Sequence, residues 1–181
     1  MVTLTMKKPV IAAVIGFVIG ILLLPIVASF YIYLGYAPVA TAASPFPLEK
    51  RLAQAALKAR IKKEAPKQSP IEPTDDNLLA GAKSYKEYCA VCHGMANQPK
   101  TPTAKGMYPP PPQLLHGKGV TDDPVGETFW KVANGIRLTG MPGYGGSLSN
   151  TELWEVSLFL ARANHLPDSA KAVIGTEPPA K

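Results

Sequence analysis

Five consecutive residues, Cys89-Ala90-Val91-Cys92-His93, restrict what this chain can fold into more than any other feature. Two thiols two residues apart, with an imidazole following at once, have the spacing at which a c-type haem is attached. Both sulfurs reach the vinyl groups as thioethers, and the ring nitrogen reaches the iron from one face. A chain carrying this pattern must build a cavity around a large apolar cofactor. It has no other cysteine to compete for the role. Other uses of the pair fit less well. A redox dithiol belongs to a strand–helix setting, whereas a helical pattern runs into this motif. A zinc site needs a second Cys/His pair, and His116 and His165 lie far apart. A disulfide across so short a loop is strained.

The N-terminal part has a different character. Residues 9–48 contain no charge, and residues 9–36 are almost wholly apolar. As a helix, the latter stretch exceeds the ~30 Å of a hydrocarbon core. Lys7 and Lys8 precede it, which predicts a short cytoplasmic N-terminus (1–8), a single-pass anchor (9–36) and export of everything after it. Tyr31, Tyr33 and Tyr36 lie where an interfacial aromatic belt belongs. The alternative is a cleaved signal peptide, for which Ala40-Thr41-Ala42 offers small residues, but the apolar run is long for that. Gly16 and Gly20 have the spacing of a close helix–helix contact.

Residues 37–73 read as a proline-rich, basic, helical linker. Prolines at 38, 45 and 47 break it from the anchor, and those at 66, 70 and 73 end it. Residues 48–64 hold no Gly or Pro and are rich in helix formers. Leu57 and Ile61 fall nearly opposite Leu48 and Leu52, so the stretch reads either as a solvated spacer or as a basic helix lying on anionic headgroups or a partner subunit. Charge divides accordingly. Residues 46–70 hold seven Lys/Arg against two Glu, and residues 71–181 hold ten against eleven acidic residues. Lys7 and Lys8 add two more positive charges, so the basic balance belongs to the N-terminal part and the linker, and nothing in the remainder suggests nucleic-acid binding.

The domain carrying the motif spans residues 74–166. Thr74, Asp75 and Asp76 are suited to open a helix. Leu78, Ala82, Tyr85 and Cys89 recur on one helical face. Gly81, beside that face, predicts a close crossing by another helix. The proline run at 109–112 lies in a long irregular segment, and a carbonyl there is expected to accept the second ring N–H of His93. Residues 125–134 read as a short helix stopped by Gly135. Ser149-Asn150-Thr151-Glu152 is a capping box opening a final helix to about residue 164, which should bury against the first helix near Gly81 and Tyr85. Residues 167–181 read as a disordered tail.

A thioether on the second iron face raises the reduction potential. Of the five methionines, Met1 and Met6 precede the anchor and Met95 is too close to His93. Met107 and Met141 remain, and Met141 sits in a Gly/Pro loop suited to aiming a side chain. Met107, His116, His165 or an open position are the alternatives. Taken together, Gly81, Tyr85, the Cys89–His93 motif with Gly94, Asn134-Gly135-Ile136, Gly140-Met141-Pro142, and Leu153-Trp154 with Leu158 resemble a small class I bacterial cytochrome c. The resemblance covers about residues 74–166. It implies an all-α cytochrome c fold around one covalent haem c, held by Cys89 and Cys92. It also implies His93 and Met141 as axial ligands and a crossing of the first and last helices.

The expected function is a mono-haem electron carrier tethered to the cytoplasmic membrane, its haem domain facing the periplasm or cell exterior. Redox proteins such as a respiratory complex or terminal oxidase are the expected partners, with no small-molecule substrate and no catalysis of its own. The competing readings are a fixed haem subunit of a larger respiratory oxidoreductase, and a haem enzyme or gas sensor with a labile sixth position.

Overall fold

The computed structural model describes residues 8–175. The expected cytoplasmic segment lies almost wholly, and the end of the C-terminal tail wholly, outside the described residues. The chain divides into two compact units, Met1–Pro45 and Phe46–Lys181. Every regular element among the described residues is helical.

The first unit is one helix, α1 (Lys8–Tyr33), of 26 residues, with a mean hydropathy of 3.0 over its most apolar stretch. At ~1.5 Å per residue it is long enough to cross a bilayer. None of its side chains is buried.

The second unit is built on two helices. In α3 (Asp75–Ser84), Thr74 is the N-cap, its hydroxyl accepting the Asn77 N–H at 3.3 Å. Asp75 and Asp76 occupy the first turn, where carboxylates oppose the positive end of the helix dipole. In α7 (Asn150–Ala161), the capping box is complete. The Glu152 carboxylate accepts the Ser149 N–H at 2.8 Å, and the Ser149 hydroxyl accepts the Glu152 N–H at 3.3 Å. Leu153, Trp154, Val156, Leu158, Phe159 and Leu160 are all buried. The two helices cross at Gly81, where a Cβ would collide with the Glu155 carbonyl oxygen and stand 2.8 Å from Phe159 Cβ. Beside the crossing, Tyr85 and Phe159, both fully buried, pack with ring centroids 5.5 Å apart.

Around this pair lie α6 (Val125–Asn134), which stacks Phe129 on Trp154 at 4.1 Å, and α8 (Asp168–Ile174), which packs on α3. The last helix is a correction. The segment from residue 167, expected to be disordered, contains a helix with Ala170 and Ile174 buried. Seven residues are too few for periodicity to register, and the burial comes from a groove that only the folded core provides.

The linker helix α2 (Glu49–Glu64) also differs from a free spacer. Its last turn docks on α6. Ile61 is buried, the Trp130 indole Nε1 donates to Glu64 Oε2 at 3.2 Å, and Arg60 Nε pairs with Glu64 Oε1 at 2.7 Å. The Pro66 carbonyl sits so close to Gly126 that a Cβ there would collide with it. The haem-motif domain therefore starts before residue 74, at the end of the linker helix.

Replacing Gly81 by Ala should destabilise the haem-loaded protein by about 1–3 kcal/mol, the range for overpacking a tight contact, read as a lower urea midpoint. Glu64 gives a pH signature. Burial pushes its carboxyl up, but the hydrogen bonds from Arg60 and Trp130 and the charges of Arg60 and Lys63 outweigh it, so the group lies below its usual 4.5. A carboxyl lowered by folding favours the docked state above its usual value and stops doing so as pH falls through the lowered one. Proteolytic nicking of residues 65–70 should therefore rise on acidification below about 4.5, and Glu64→Gln should remove that dependence.

Candidate functional site

After α3 the helix widens. Tyr85–Cys89 is a π-helical turn, with the Ala90 N–H bonded to the Tyr85 carbonyl, and a short helix, α4 (Ala90–His93), follows. The extra residue in a π turn shifts the phase of what comes after it, so the face that carries Leu78, Ala82 and Tyr85 is not simply continued by the motif. Ala90 is turned inward and Val91 outward, while Cys89, Cys92 and His93 line one cavity. The Tyr85 hydroxyl donates to the Gly94 carbonyl at 2.6 Å and ties the end of the motif back to the core. From the other side, the hydroxyl of Thr101, N-cap of α5 (Pro102–Lys105), donates to the Val91 carbonyl at 2.7 Å.

The cavity has a volume of about 710 Å³ when its open side is counted. Its wall is largely apolar, formed by the prolines at 109–112, Val132, Ile136, Met107 and Met141, with Tyr88 and Tyr144. His93 Nδ1 lies 2.7 Å from the Pro112 carbonyl oxygen. A carbonyl only accepts, so Nδ1 carries the proton, and a neutral ring keeps its lone pair on Nε2. Burial lowers the His93 pKa from 6.5 against the opposing effect of the Pro112 bond, so the ring is neutral at pH 7. The acceptor anticipated somewhere in the proline run is Pro112.

Neither thiol is in a disulfide. Burial, with Cys92 adding to it, pushes the Cys89 thiol up to about 12. A dithiol exchanger needs a ready thiolate, which Cys89 does not provide. Among the described residues no three His, Cys, Asp or Glu side chains converge as a group that could hold a metal ion.

Met141 faces the motif from the loop after α6. The Ile136 N–H bonds to the Met141 carbonyl at 3.1 Å, and the Thr139 hydroxyl accepts the Met141 N–H at 3.1 Å while donating to the Ile136 carbonyl at 2.6 Å. Downstream, the Tyr144 and Gly145 amides bond to the Val132 and Ala133 carbonyls, each at 2.9 Å. The Tyr144 hydroxyl then crosses to the motif and donates to the Tyr88 carbonyl at 2.9 Å. Met107 lines the same cavity and packs its methyl group against Gly140. His116 and His165 are exposed and stand outside the wall. Thr101, Thr139 and Tyr144 escaped sequence reasoning. Isolated polar residues in irregular segments carry no periodicity, and only the proximity of Thr139 to Met141 hinted at a role.

Residues 76–160 match the family model described as cytochrome C oxidase, cbb3-type, subunit III. This stretch is a cytochrome c domain. A thiosulfate dehydrogenase from Stutzerimonas stutzeri (strain A1501) is 29% identical over 101 residues, 55% of this chain and 31% of that one. Among solved structures, a chain of the Kuenenia stuttgartiensis reducing HAO-like protein complex aligns with a TM-score of 0.47 at 22% identity, covering 67% of this chain and 52% of that one. The chain thus spans about a third of the curated relative and about half of the solved one. The cytochrome c domain is an electron-transfer haem domain, and its cofactor is a covalently bound haem c. The donor set fits that group: an apolar cavity, two thiols on its wall that are in no disulfide, and an imidazole whose tautomer leaves Nε2 free.

Tyr144→Phe removes one hydroxyl and leaves the Tyr88 carbonyl without that donor. We expect a loss of about 1 kcal/mol, seen as about fivefold faster amide exchange across residues 136–145.

Proposed function

We propose that the chain is a mono-haem electron carrier, held by α1 in the cytoplasmic membrane with its haem domain on the outer face. Cys89 and Cys92 would attach the haem as thioethers, and His93 Nε2 and Met141 Sδ would hold its iron. The bound haem supplies one-electron Fe(III)/Fe(II) chemistry. The observation that carries this reading is the convergence of Cys89, Cys92, His93 and Met141 on one apolar cavity, from two segments far apart in sequence. The chain's own residues do the rest. Pro112 holds the imidazole in one tautomer, which orients it and raises its basicity. Thr139 and Tyr144 hold the Met141 loop against the motif. The prolines, Met107 and Ile136 keep water from the cavity. Held by His93 and Met141 together, the iron would have no coordination site left for a substrate, so the chain would carry electrons without catalysing a reaction of its own. The span and apolarity of α1 support an anchor, which raises the effective concentration of the haem near membrane partners such as a respiratory complex or terminal oxidase.

A second reading is a fixed haem subunit of a larger redox complex. The family model that matches residues 76–160 is itself named for an oxidase subunit, which is the observation in its favour. Mild detergent extraction separates the two: a carrier elutes alone, and a subunit elutes with partners that resist high salt.

The test of the ligand set is the visible spectrum of the full chain, matured with haem in a periplasm. The expected result is a low-spin spectrum with the Met–Fe(III) charge-transfer band, unaltered by CO after reduction. Met141→Ala should abolish the band, admit CO and lower the reduction potential. A high-spin or CO-responsive parent would overturn the assignment of Met141 and favour an enzyme or sensor.

A further inference from the structure

We propose that α2 lies along the anionic lipid headgroups of the membrane and so sets the orientation of the haem cavity relative to that surface. The proposal rests on the reading of α1 as an anchor. Two faces of α2 have different fates. Its inner face is committed to the haem unit through buried Ile61, half-buried Leu57 and the Trp130–Glu64 bond, and the Pro66–Gly126 contact locks the exit from the helix. At about 100° per residue, the half turned away from Ile61 carries Leu52, Ala55, Ala56 and Ala59 together with Arg60, Lys62 and Lys63. Arg51 and Lys58 lie on its flank. These residues are exposed, Leu52 at 66%. Of the cations, only Arg60 is in an ion pair among the described residues, with Glu64.

Charge selects the occupant. Residues 46–70 carry a net +5 while residues 71–181 carry −1, so of everything after residue 45 only this arm is net positive, and it calls for an anionic surface. Connectivity selects lipid. Residues 34–48 join α1 to α2, and fifteen residues span at most about 50 Å. An anchored chain therefore keeps α2 next to headgroups at high effective concentration, and clustered Lys/Arg beside a membrane helix are drawn to anionic lipid. The docked end makes the contact directional. Trp130, which holds Glu64, and Val132, which lines the cavity, both belong to α6. A membrane contact along α2 therefore fixes the direction in which the cavity opens.

The test uses the full haem-loaded chain in nanodiscs of phosphatidylcholine, with and without phosphatidylglycerol. A nitroxide at Ala56→Cys reports the outward half of α2, and one at Ser169→Cys on α8 serves as control. We expect the Ala56 label to lose several-fold of its accessibility to a water-soluble relaxant only in anionic discs, with Ser169 unchanged. The quadruple variant R51Q/K58Q/K62Q/K63Q should restore accessibility without altering the visible spectrum. Equal accessibility in the two lipids would overturn the proposal. Protection that appears only when solubilised membrane proteins are added would also overturn it, in favour of a protein partner. A chain that fails to co-migrate with the discs at all would overturn the anchor, and this proposal with it.

Discussion

The crossing of α3 over α7 at Gly81 is the contact on which the rest of the structure depends. A residue without Cβ lets the α3 backbone come down onto the Glu155 carbonyl, and that approach sets how closely Tyr85 meets Phe159. Protein interiors are packed as densely as crystals, so a helix pair this close has little freedom to slide. The motif follows directly on α3. The thiols and the imidazole are therefore placed by a helix that is itself immobilised, and the π turn delivers them in the phase that lines the cavity.

The second half of the site depends on hydrogen bonds across irregular segments. Neither the proline run nor the Met141 loop has a ladder of its own, so side chains and backbone groups of neighbouring elements hold them. Pro112 is joined to His93, Thr101 to Val91, and Tyr144 to Tyr88. These bonds connect the two walls of the cavity, so the site is supported from both sides by the protein alone. Bonds of this kind are each worth about 0.5–1.5 kcal/mol, and their effect lies more in defining one geometry than in total stability.

The docked end of α2 extends the same logic outward. Ile61, Glu64 and Pro66 make the end of the linker part of the domain. The remainder of the helix keeps its cations exposed. One segment thus serves as structural support at its C-terminal end and offers a charged face along its length.

The elements with strong local chemistry were legible in the sequence. Thr74 and Ser149 mark helix starts because their hydroxyls accept orphan N–H groups. Gly81 announces a close contact because glycine inside a helix otherwise only weakens it. The Cys89–His93 spacing announces its cofactor because few other uses suit it. Each of these signals lies within a few residues, where periodicity and capping operate. Tertiary structure decided the rest. It chose Pro112 among four prolines, brought both Met107 and Met141 to the cavity while leaving His116 and His165 outside, turned the first part of the expected tail into α8 and fastened α2 to α6. In each case the deciding partner lies in a distant part of the chain, and its position exists only once the α3–α7 pair has packed.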